Sequence, residues 1–223
     1  MKVAIDGPAG AGKSTISKKI ASELGYVYID TGAMYRTVGL YMLRNGVDIP
    51  SEHEKVVQLM DSVSIDIKPT PGGQLMFLNG EDVTSEIRTE AVSMAASNVA
   101  VIGDVRRKLV DLQRDFAEGK NVVMDGRDIA TTVLPDAECK IFLTASSRAR
   151  GERRYLELKE KGVSCNLEDI CRDIEARDKN DSERKVSPLR QAEDAILLDT
   201  TNLTLEESIA AATRIIKEKA GIL

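Results

Sequence analysis

A phosphate-binding loop is predicted at residues 7–14, where the chain reads Gly7-Pro8-Ala9-Gly10-Ala11-Gly12-Lys13-Ser14. This segment matches the pattern GxxxxGK[ST] at every fixed position. The glycines permit backbone torsions that are closed to other residues, and they let the loop amides approach a phosphate group closely. Lys13 would place an ammonium group on the β- and γ-phosphates of a nucleotide, and the Ser14 hydroxyl would be a ligand for Mg²⁺.

The segments on either side of the loop supply the structural context that this motif requires. Val3-Ala4-Ile5-Asp6 is a short apolar run typical of a buried strand, and apolar residues recur every four positions between 16 and 24. A strand, the loop and an amphipathic helix in this order favour nucleoside triphosphate binding over a glycine-rich turn without a ligand. We therefore expect the residues from Gly7 to Thr15 to bind ATP.

Four more apolar runs are predicted to be strands buried on both faces, because they do not alternate polar with apolar residues. They are Val27-Tyr28-Ile29-Asp30, Val122-Val123-Met124-Asp125, Ile141-Phe142-Leu143-Thr144 and Ala195-Ile196-Leu197-Leu198-Asp199. Helices are predicted between the strands, at 33–44, 51–61, 86–118, 147–161, 167–180 and 204–219. This alternation predicts an α/β fold of the P-loop NTPase type, a five-stranded parallel sheet with helices on both faces. Ligands of such sheets bind beyond the carboxyl ends of the strands.

One stretch departs from the parallel pattern. Apolar and polar residues alternate from Val63 onward, residues 69–73 indicate a turn, and Asn79-Gly80 indicates a second one. We expect a small antiparallel β insert here, within residues 62–85, and a helical lid later in the chain. The whole chain, 1–223, is interpreted as one P-loop unit with its core at 1–61, 86–147 and 181–223 and its lid at 148–180.

Composition and charge favour an ordinary globular protein. Apolar residues make up 42% of the 223 residues and charged residues 30%. The net charge is −5, whereas nonspecific nucleic-acid binding requires a strongly basic surface. No apolar run reaches the ~20 residues that are needed to cross a bilayer. The three cysteines have no CxxC spacing, as expected in a reducing compartment. Because a strand begins directly after Met1-Lys2, we expect a cytoplasmic protein, and a monomer since no long apolar heptad requires a partner.

Arginines near the carboxyl ends of predicted strands indicate a second anion beside the phosphate loop. Arg36 lies just after the second strand and Arg127 just after the third, so the two could clamp a phosphate by bidentate hydrogen bonds. Four further arginines lie near the start of one predicted helix: Arg148, Arg150, Arg153 and Arg154. Arg177, Asp181 and Arg184 would share one face of the next helix if it continues that far. The sequence therefore predicts a cationic site for two phosphate groups.

A phosphate acceptor suits this arrangement better than a hydroxyl acceptor. A hydroxyl usually needs a carboxylate base near the third strand, whereas a phosphate oxygen is already largely ionised at pH 7. Transfer then depends on alignment and on charge neutralisation by Lys13, Mg²⁺ and the arginines. Asp128 can also be interpreted as such a base, so the residues alone leave both acceptor classes open.

Other classes of P-loop protein are less consistent with the sequence. A GTPase usually carries an Asn-Lys-x-Asp tetrapeptide that reads guanine, and the chain has none. Motor and transport ATPases are mostly longer and carry additional domains. A nucleotide-dependent switch without a small acceptor stays open as a further hypothesis.

The chain closely resembles bacterial cytidylate kinases over essentially its whole length. The resembling segments are Ile5 to Ser14, Asp30-Thr31-Gly32-Ala33-Met34-Tyr35-Arg36, Ser85-Glu86-Ile87-Arg88, Asp125-Gly126-Arg127-Asp128, Lys140-Ile141-Phe142-Leu143 and Arg177-Asp178 through Arg184. The segments at 30–36 and 125–128 are specific to this family among P-loop kinases, although the family often has Ser where this chain has Thr31. The antiparallel insert matches the monophosphate-binding insert of the bacterial enzymes.

This resemblance implies in-line transfer of the γ-phosphoryl group from ATP–Mg²⁺ to CMP, and also to dCMP, with another nucleoside monophosphate such as UMP as the alternative acceptor. It implies catalytic roles for Lys13 and Arg127 and for two lid arginines that close over ATP, Arg153 and Arg154. A carboxylate such as Asp128 would accept from the N4 amino group of cytosine, which uracil lacks.

The resemblance also implies the residues that hold CMP. They are Arg36 and Arg127 on the phosphate, Thr31, Arg106, Asp128 and Arg184 on the cytosine ring, and Ser97, Arg177 and Asp181 on the ribose, with Tyr35 beside them. No nucleic-acid or membrane partner is implied.

Overall fold

The computed structural model describes residues 1–70 and 73–221. Its strands are β1 (Lys2–Asp6), β2 (Val27–Asp30), β3 (Ile65–Thr70), β4 (Gly73–Leu78), β5 (Glu81–Asp82), β6 (Val122–Gly126), β7 (Cys139–Thr144) and β8 (Ile196–Asp199). Five of them form a parallel sheet in the order β2-β6-β1-β7-β8. The predicted fold class is confirmed, and every predicted strand of the large sheet is present.

The helices lie on both faces of this sheet. They are α1 (Lys13–Leu24), α2 (Thr31–Arg44), α3 (His53–Leu59), α4 (Glu90–Val99), α5 (Gly103–Ala117), α6 (Ser147–Glu160), α7 (Leu167–Glu183) and α8 (Leu205–Ala220). Within the described residues, no helix combines the length and the apolar character that a membrane span requires.

Two apolar layers hold the helices to the sheet, because neighbouring residues of a strand face opposite sides. Val3 and Ile5 of β1 belong to the layer shared with α1 and α8, whereas Ala4 belongs to the larger layer shared with α2, α4 and α5. All three residues have no exposed surface. Burial on both faces explains why the strands of this sheet contain continuous apolar runs.

The predicted single helix at 86–118 is wrong, because the chain forms two helices there. A short turn at Glu86–Arg88 precedes α4, whose first residue follows Thr89, and the Thr89 side chain accepts from the amide of Val92. Between α4 and α5 the chain leaves the helical path, and the guanidinium of Arg106 donates to the carbonyl oxygen of Ala100 at 3.3 Å. A side chain of α5 thus satisfies a carbonyl oxygen at the break between the two helices.

The predicted antiparallel unit is a three-stranded sheet in the order β3-β4-β5. Ile65 pairs with Leu78 across β3 and β4, and Asn79-Gly80 forms the second turn with φ 50° and 86°. Part of the first predicted turn, at 71–72, lies outside the described residues. Gln74 fixes this sheet to the large one, because its side chain accepts from the amide of Asp30 at 2.9 Å.

Close packing of α2 on α4 gives a test of the fold. A Cβ atom at Gly39 would lie 2.9 Å from the backbone nitrogen of Ala96, whereas one at Gly103 would meet other groups only at 3.7 Å or beyond. We expect Gly39→Ala to lower the free energy of unfolding by about 1–3 kcal/mol through overpacking. Gly103→Ala is the matched control, and it should either change the free energy of unfolding by less than about 0.5 kcal/mol or raise it. Urea unfolding measures both, and equal stability of the two variants would contradict this packing.

Candidate active site

A cleft of about 740 Å³ opens at the carboxyl ends of β1, β2 and β6. Its walls come from the phosphate loop, the start of α2, the turn after β6 and parts of helices α4 to α8. Nine Lys and Arg side chains and five Asp and Glu side chains line it, although the whole chain has a net charge of −5. The cleft thus offers the cationic surroundings that a polyanionic ligand requires.

The phosphate loop connects β1 to α1 in a conformation that depends on glycine. Gly7 has φ 153°, and a Cβ atom there would collide with the carbonyl oxygen of Leu143 in the neighbouring strand. Gly12, with φ 88°, immediately precedes α1. The amino terminus of α1, with its unpaired amides and positive end of the helix dipole, therefore lies at the cleft.

Lys13 is held inside this loop. Its side chain is 5% exposed, and Nζ donates to the carbonyl oxygen of Pro8 at 2.7 Å. Burial and the positive charge of Arg127 lower the pKa of Lys13 to about 7, although Asp125 opposes this shift. An anion in the loop would favour the charged ammonium and raise this pKa again.

Asp125, at the end of β6, is fixed by three hydroxyl groups from three different elements. Ser14 Oγ donates to Oδ2 at 2.9 Å, and the Tyr28 hydroxyl donates to Oδ1 at 2.7 Å. Thr31 Oγ1 donates to the backbone carbonyl oxygen of Asp125 at 2.8 Å. Burial and the nearby Asp30 raise the pKa of Asp125 to about 6. Burial and the Asp125 charge also raise the pKa of Tyr28 well above its ordinary value.

Two arginines of the expected phosphate clamp are preorganised by carboxylates. Arg36 donates to Asp30 Oδ2 at 2.9 Å, and Arg127 Nε donates to Asp181 Oδ2 at 2.7 Å. Burial alone would raise the pKa of Asp181, but Arg127 holds it below its usual range. Both guanidinium groups line the same cleft as Lys13. Each is thus oriented by a partly buried ion pair and faces the space beside the phosphate loop.

A buried ion triad forms the far wall of the cleft. Arg106, which is 2% exposed, donates to Asp128 Oδ2, and Arg184 lies 3.4 Å from Asp128 Oδ1. The Arg106 guanidinium also lies 5.6 Å from the centre of the Tyr35 ring. Helix α7 ends just before Arg184, so the predicted face shared by 177, 181 and 184 is only partly helical. Both oxygens of Asp128 therefore face positive charge.

Asp6, at the end of β1, holds the turn that carries Asp128. Its Oδ1 accepts from the amide of Ile129 at 2.8 Å and its Oδ2 from the amide of Ala130 at 2.7 Å. Burial raises the pKa of Asp6 to about 6, although these two amides lower it. A β1 carboxylate thus sets the backbone of the turn after β6.

The raised pKa of Asp6 predicts a pH-dependent stability. A protonated Asp6 stabilises the folded chain below pH 4, and this stabilisation is lost as the pH rises through about 6. The original chain should lose about 2–3 kcal/mol of this stabilisation between pH 4 and pH 8. Asn does not titrate, so the Asp6→Asn variant loses none of it. The free energy of unfolding of the variant, minus that of the original chain, should therefore increase by the same amount over this pH range. Urea unfolding at several pH values measures this difference. The exposed Asp61→Asn is the control, and a difference that stays constant with pH for Asp6→Asn would contradict the shift.

The arginines of α6 contact different parts of the chain. Arg150, which is 4% exposed, donates to the carbonyl oxygen of Ala9 at 2.7 Å and pairs with Asp178 of α7. Arg153 donates to the backbone oxygen of Thr200, and Arg154 pairs with a glutamate of its own helix. The α6 arginine that contacts the phosphate loop is therefore Arg150, which the sequence offered only as a member of a cluster.

The structure places the predicted site residues around one cleft. Its walls include every residue predicted to hold CMP, both predicted lid arginines and residues 9–15 of the predicted ATP site, whereas Gly7 and Pro8 are buried and are not among them. The roles of these residues toward a nucleotide stay predictions. Sequence reasoning did not single out Asp6, Tyr28 or Asp125 as site residues. Asp125 and Asp6 each end a predicted strand beside the phosphate loop, and that position was the available signal.

Comparison with known proteins assigns the family. A family model described as cytidylate kinase matches residues 3–218. A cytidylate kinase of Caldicellulosiruptor saccharolyticus is 56% identical over 207 residues, which cover 93% of this chain and 91% of that protein. Cytidylate kinases of Lactobacillus johnsonii and Geobacillus thermodenitrificans are 52% and 53% identical over 219 residues, which cover 98% of this chain and 95% and 97% of those proteins.

A solved structure shows the same fold at much lower identity. A shikimate kinase from Bacteroides thetaiotaomicron aligns over 99% of this chain and 98% of that chain, with a TM-score of 0.50 and 14% identity. Its likeness extends to the fold alone. With a matching family model and relatives above half identity over nearly all of its length, the chain belongs to the cytidylate kinase family, a family of nucleoside monophosphate kinases.

Proposed function

We propose that the protein transfers the γ-phosphoryl group of ATP to CMP, giving ADP and CDP, with dCMP as a second acceptor. The observation that carries this proposal is one continuous cleft with the phosphate loop at one end and the arginines of the expected phosphate clamp beside it. Lys13 and Arg127 are close enough for the charge of one to lower the pKa of the other. Two anions bound at these positions would meet end to end, as direct transfer requires.

The donor would occupy residues 7–15, with its phosphates on the loop amides, the Lys13 ammonium and the amino terminus of α1. Two side-chain oxygens beside the loop, Ser14 Oγ and Asp125 Oδ2, lie 2.9 Å apart at the cleft. Hydroxyl and carboxylate oxygens are the ligands that Mg²⁺ prefers, together with phosphate oxygens and water. Ser14 and Asp125 would therefore hold the ATP-bound Mg²⁺, which neutralises charge that develops on the transferred phosphoryl group.

The acceptor phosphate would bind between Arg36 and Arg127. Within the described part of the chain, the buried Nε of Arg36 has no hydrogen-bond partner, although another nitrogen of the same guanidinium is held by Asp30. A buried donor without a partner is costly unless a ligand supplies the acceptor. A phosphate oxygen is such an acceptor, and a planar guanidinium matches its geometry.

The base would be recognised by the triad around Asp128. A carboxylate fixed in place by two arginines is a hydrogen-bond acceptor of defined orientation, so it suits the N4 amino group of cytosine. The Thr31 hydroxyl donates its hydrogen bond to the backbone carbonyl oxygen of Asp125, so its lone pairs can accept from the second N4 hydrogen. UMP would present a carbonyl oxygen to both groups and leave them unpaired. Ser97, Arg177 and Asp181, which also line the cleft, would hold the ribose.

We assign the small sheet, within 62–85, to monophosphate binding and the helices of 148–180 to a lid. Closure of the two would exclude water and so limit ATP hydrolysis. Arg153 and Arg154 would approach the ATP phosphates in the closed form, since both already line the cleft.

An acceptor panel tests the proposal. ADP release from ATP and Mg²⁺ is measured with CMP, dCMP, UMP, AMP and a small alcohol such as glycerol. We expect the largest kcat/KM with CMP, measurable activity with dCMP and a loss of at least about tenfold with UMP, because a site built for one hydrogen-bonding pattern rejects another. A preference for UMP or AMP would assign a different monophosphate. Hydrolysis that no acceptor accelerates would assign a nucleotide-dependent switch.

A further inference from the structure

A buried tyrosine in β2 has a hydroxyl group that packing does not require. Tyr28 is 4% exposed and belongs to the apolar layer between the sheet and helices α1 and α8. A phenylalanine would fill the same space without a polar atom. Burial of a phenol hydroxyl is costly unless it is hydrogen-bonded, and this one donates to Asp125 Oδ1 at 2.7 Å.

The two oxygens of Asp125 face different surroundings. Oδ2 accepts from Ser14 at the cleft, whereas Oδ1 accepts from Tyr28 in the apolar layer. The Asp125 carboxylate can rotate about its Cα–Cβ and Cβ–Cγ bonds, and the inner hydrogen bond favours the orientation that aims Oδ2 at the cleft. Loss of a group that orients a metal ligand from behind typically lowers metal affinity or activity about 10–100-fold.

We infer that Tyr28 is a positioning residue for the metal site, because its hydroxyl holds the Asp125 carboxylate with one oxygen directed at the ATP-bound divalent cation. The inference rests on the proposed donor site at residues 7–15. Tyr28 itself is buried behind Asp125 and does not line the cleft. Its effect should therefore appear in the affinity for the cation and not in the affinity for either nucleotide alone.

Replacement of Tyr28 by phenylalanine tests this, since it removes one oxygen atom and keeps the ring. Binding of Mn²⁺ to the full-length chain with the β,γ-methylene analogue of ATP is measured by electron paramagnetic resonance. We expect the Mn²⁺ dissociation constant to rise about tenfold in Tyr28→Phe, as is typical when a group behind a metal ligand is removed. Affinities for CMP and for the ATP analogue in EDTA should change less than about twofold.

The matched control is Tyr26→Phe, in the residues that lead into the same strand. The Tyr26 hydroxyl donates to the Met1 sulfur at 3.7 Å, and not to Asp125. This variant should bind Mn²⁺ as the original chain does. Tyr28→Leu, which also lacks the hydroxyl, should weaken Mn²⁺ binding at least as much as Tyr28→Phe, and circular dichroism identifies which variants are folded.

The outcomes separate this inference from the proposed function. If the original chain binds no Mn²⁺ in the presence of the ATP analogue, the proposed donor site is wrong. If it does, and a folded Tyr28 variant binds Mn²⁺ equally well, the positioning role is wrong while the donor site stands. Equal weakening of cation binding and of nucleotide binding in EDTA would show that the hydroxyl serves only the fold, which also overturns the inference.

Discussion

Replacement of Lys13 by methionine is expected to lower kcat for phosphoryl transfer by at least about a thousandfold, comparable to the loss of other cations that contact the transferred group. Its ammonium lies inside the phosphate loop and already donates to the Pro8 carbonyl oxygen at 2.7 Å. Methionine keeps most of the aliphatic stem, so the packing of a side chain that is only 5% exposed is largely preserved. The loss would therefore report the missing charge. Steady-state kinetics with saturating ATP and CMP measure it.

Lys19→Met is the matched control for this variant. Lys19 belongs to the same helix, but its side chain is 59% exposed and pairs with Glu23. An exposed ion pair of this kind contributes little, so kcat should stay within about twofold. A Lys13→Met chain that folds and keeps more than a tenth of the original kcat would remove Lys13 from the proposed mechanism.

Replacement of Arg127 by alanine is expected to lower kcat/KM for CMP by about a hundredfold or more. The guanidinium lines the cleft in a partly buried pair with Asp181, and each charge-assisted hydrogen bond that it would donate to the acceptor phosphate contributes about 1.5–3 kcal/mol. The dissociation constant of ATP should change far less, about threefold at most, because residues 7–15 supply the contacts of the proposed donor site. Steady-state kinetics and equilibrium binding of ATP separate the two effects.

Two further variants refine this result. Arg127→Lys keeps a positive charge but loses the planar guanidinium group. Its kcat/KM for CMP should therefore fall less than that of Arg127→Ala, but still by more than tenfold. Arg172→Ala removes a 73% exposed arginine of α7 that pairs with Asp169, and it should leave the kinetics unchanged. If Arg127→Ala weakened ATP binding by the same factor as it lowers kcat/KM for CMP, the residue would have a general structural role and would not be an acceptor clamp.

Features that depend on contiguous residues could be predicted from the sequence. The phosphate loop is one, because its amides, its lysine and its helix start all come from one short segment. The strands of the parallel sheet are another, since burial on both faces makes each one a continuous apolar run. The small antiparallel sheet followed from alternation and an Asn-Gly turn. Motif resemblance also pointed to the family, which the comparisons then confirmed.

Features that depend on the order of the strands were not predictable in this way. β6 lies between β2 and β1, and this order brings Asp125 level with Asp30 on one side and with Ile5 on the other. Ser14 and Tyr28 therefore reach Asp125 across separations of 111 and 97 residues. No local pattern encodes such a contact.

The amino-acid sequence by itself thus determined the fold class, the phosphate loop and the set of arginines, because each is written in residues that are neighbours along the chain. Only the tertiary structure decided which carboxylate each arginine meets, that Arg150 contacts the loop, and that Asp6 and Tyr28 support the site from behind. The physical reason is that buried charges and hydroxyl groups must find partners. Those partners are set by strand order and helix packing, which join distant parts of the chain.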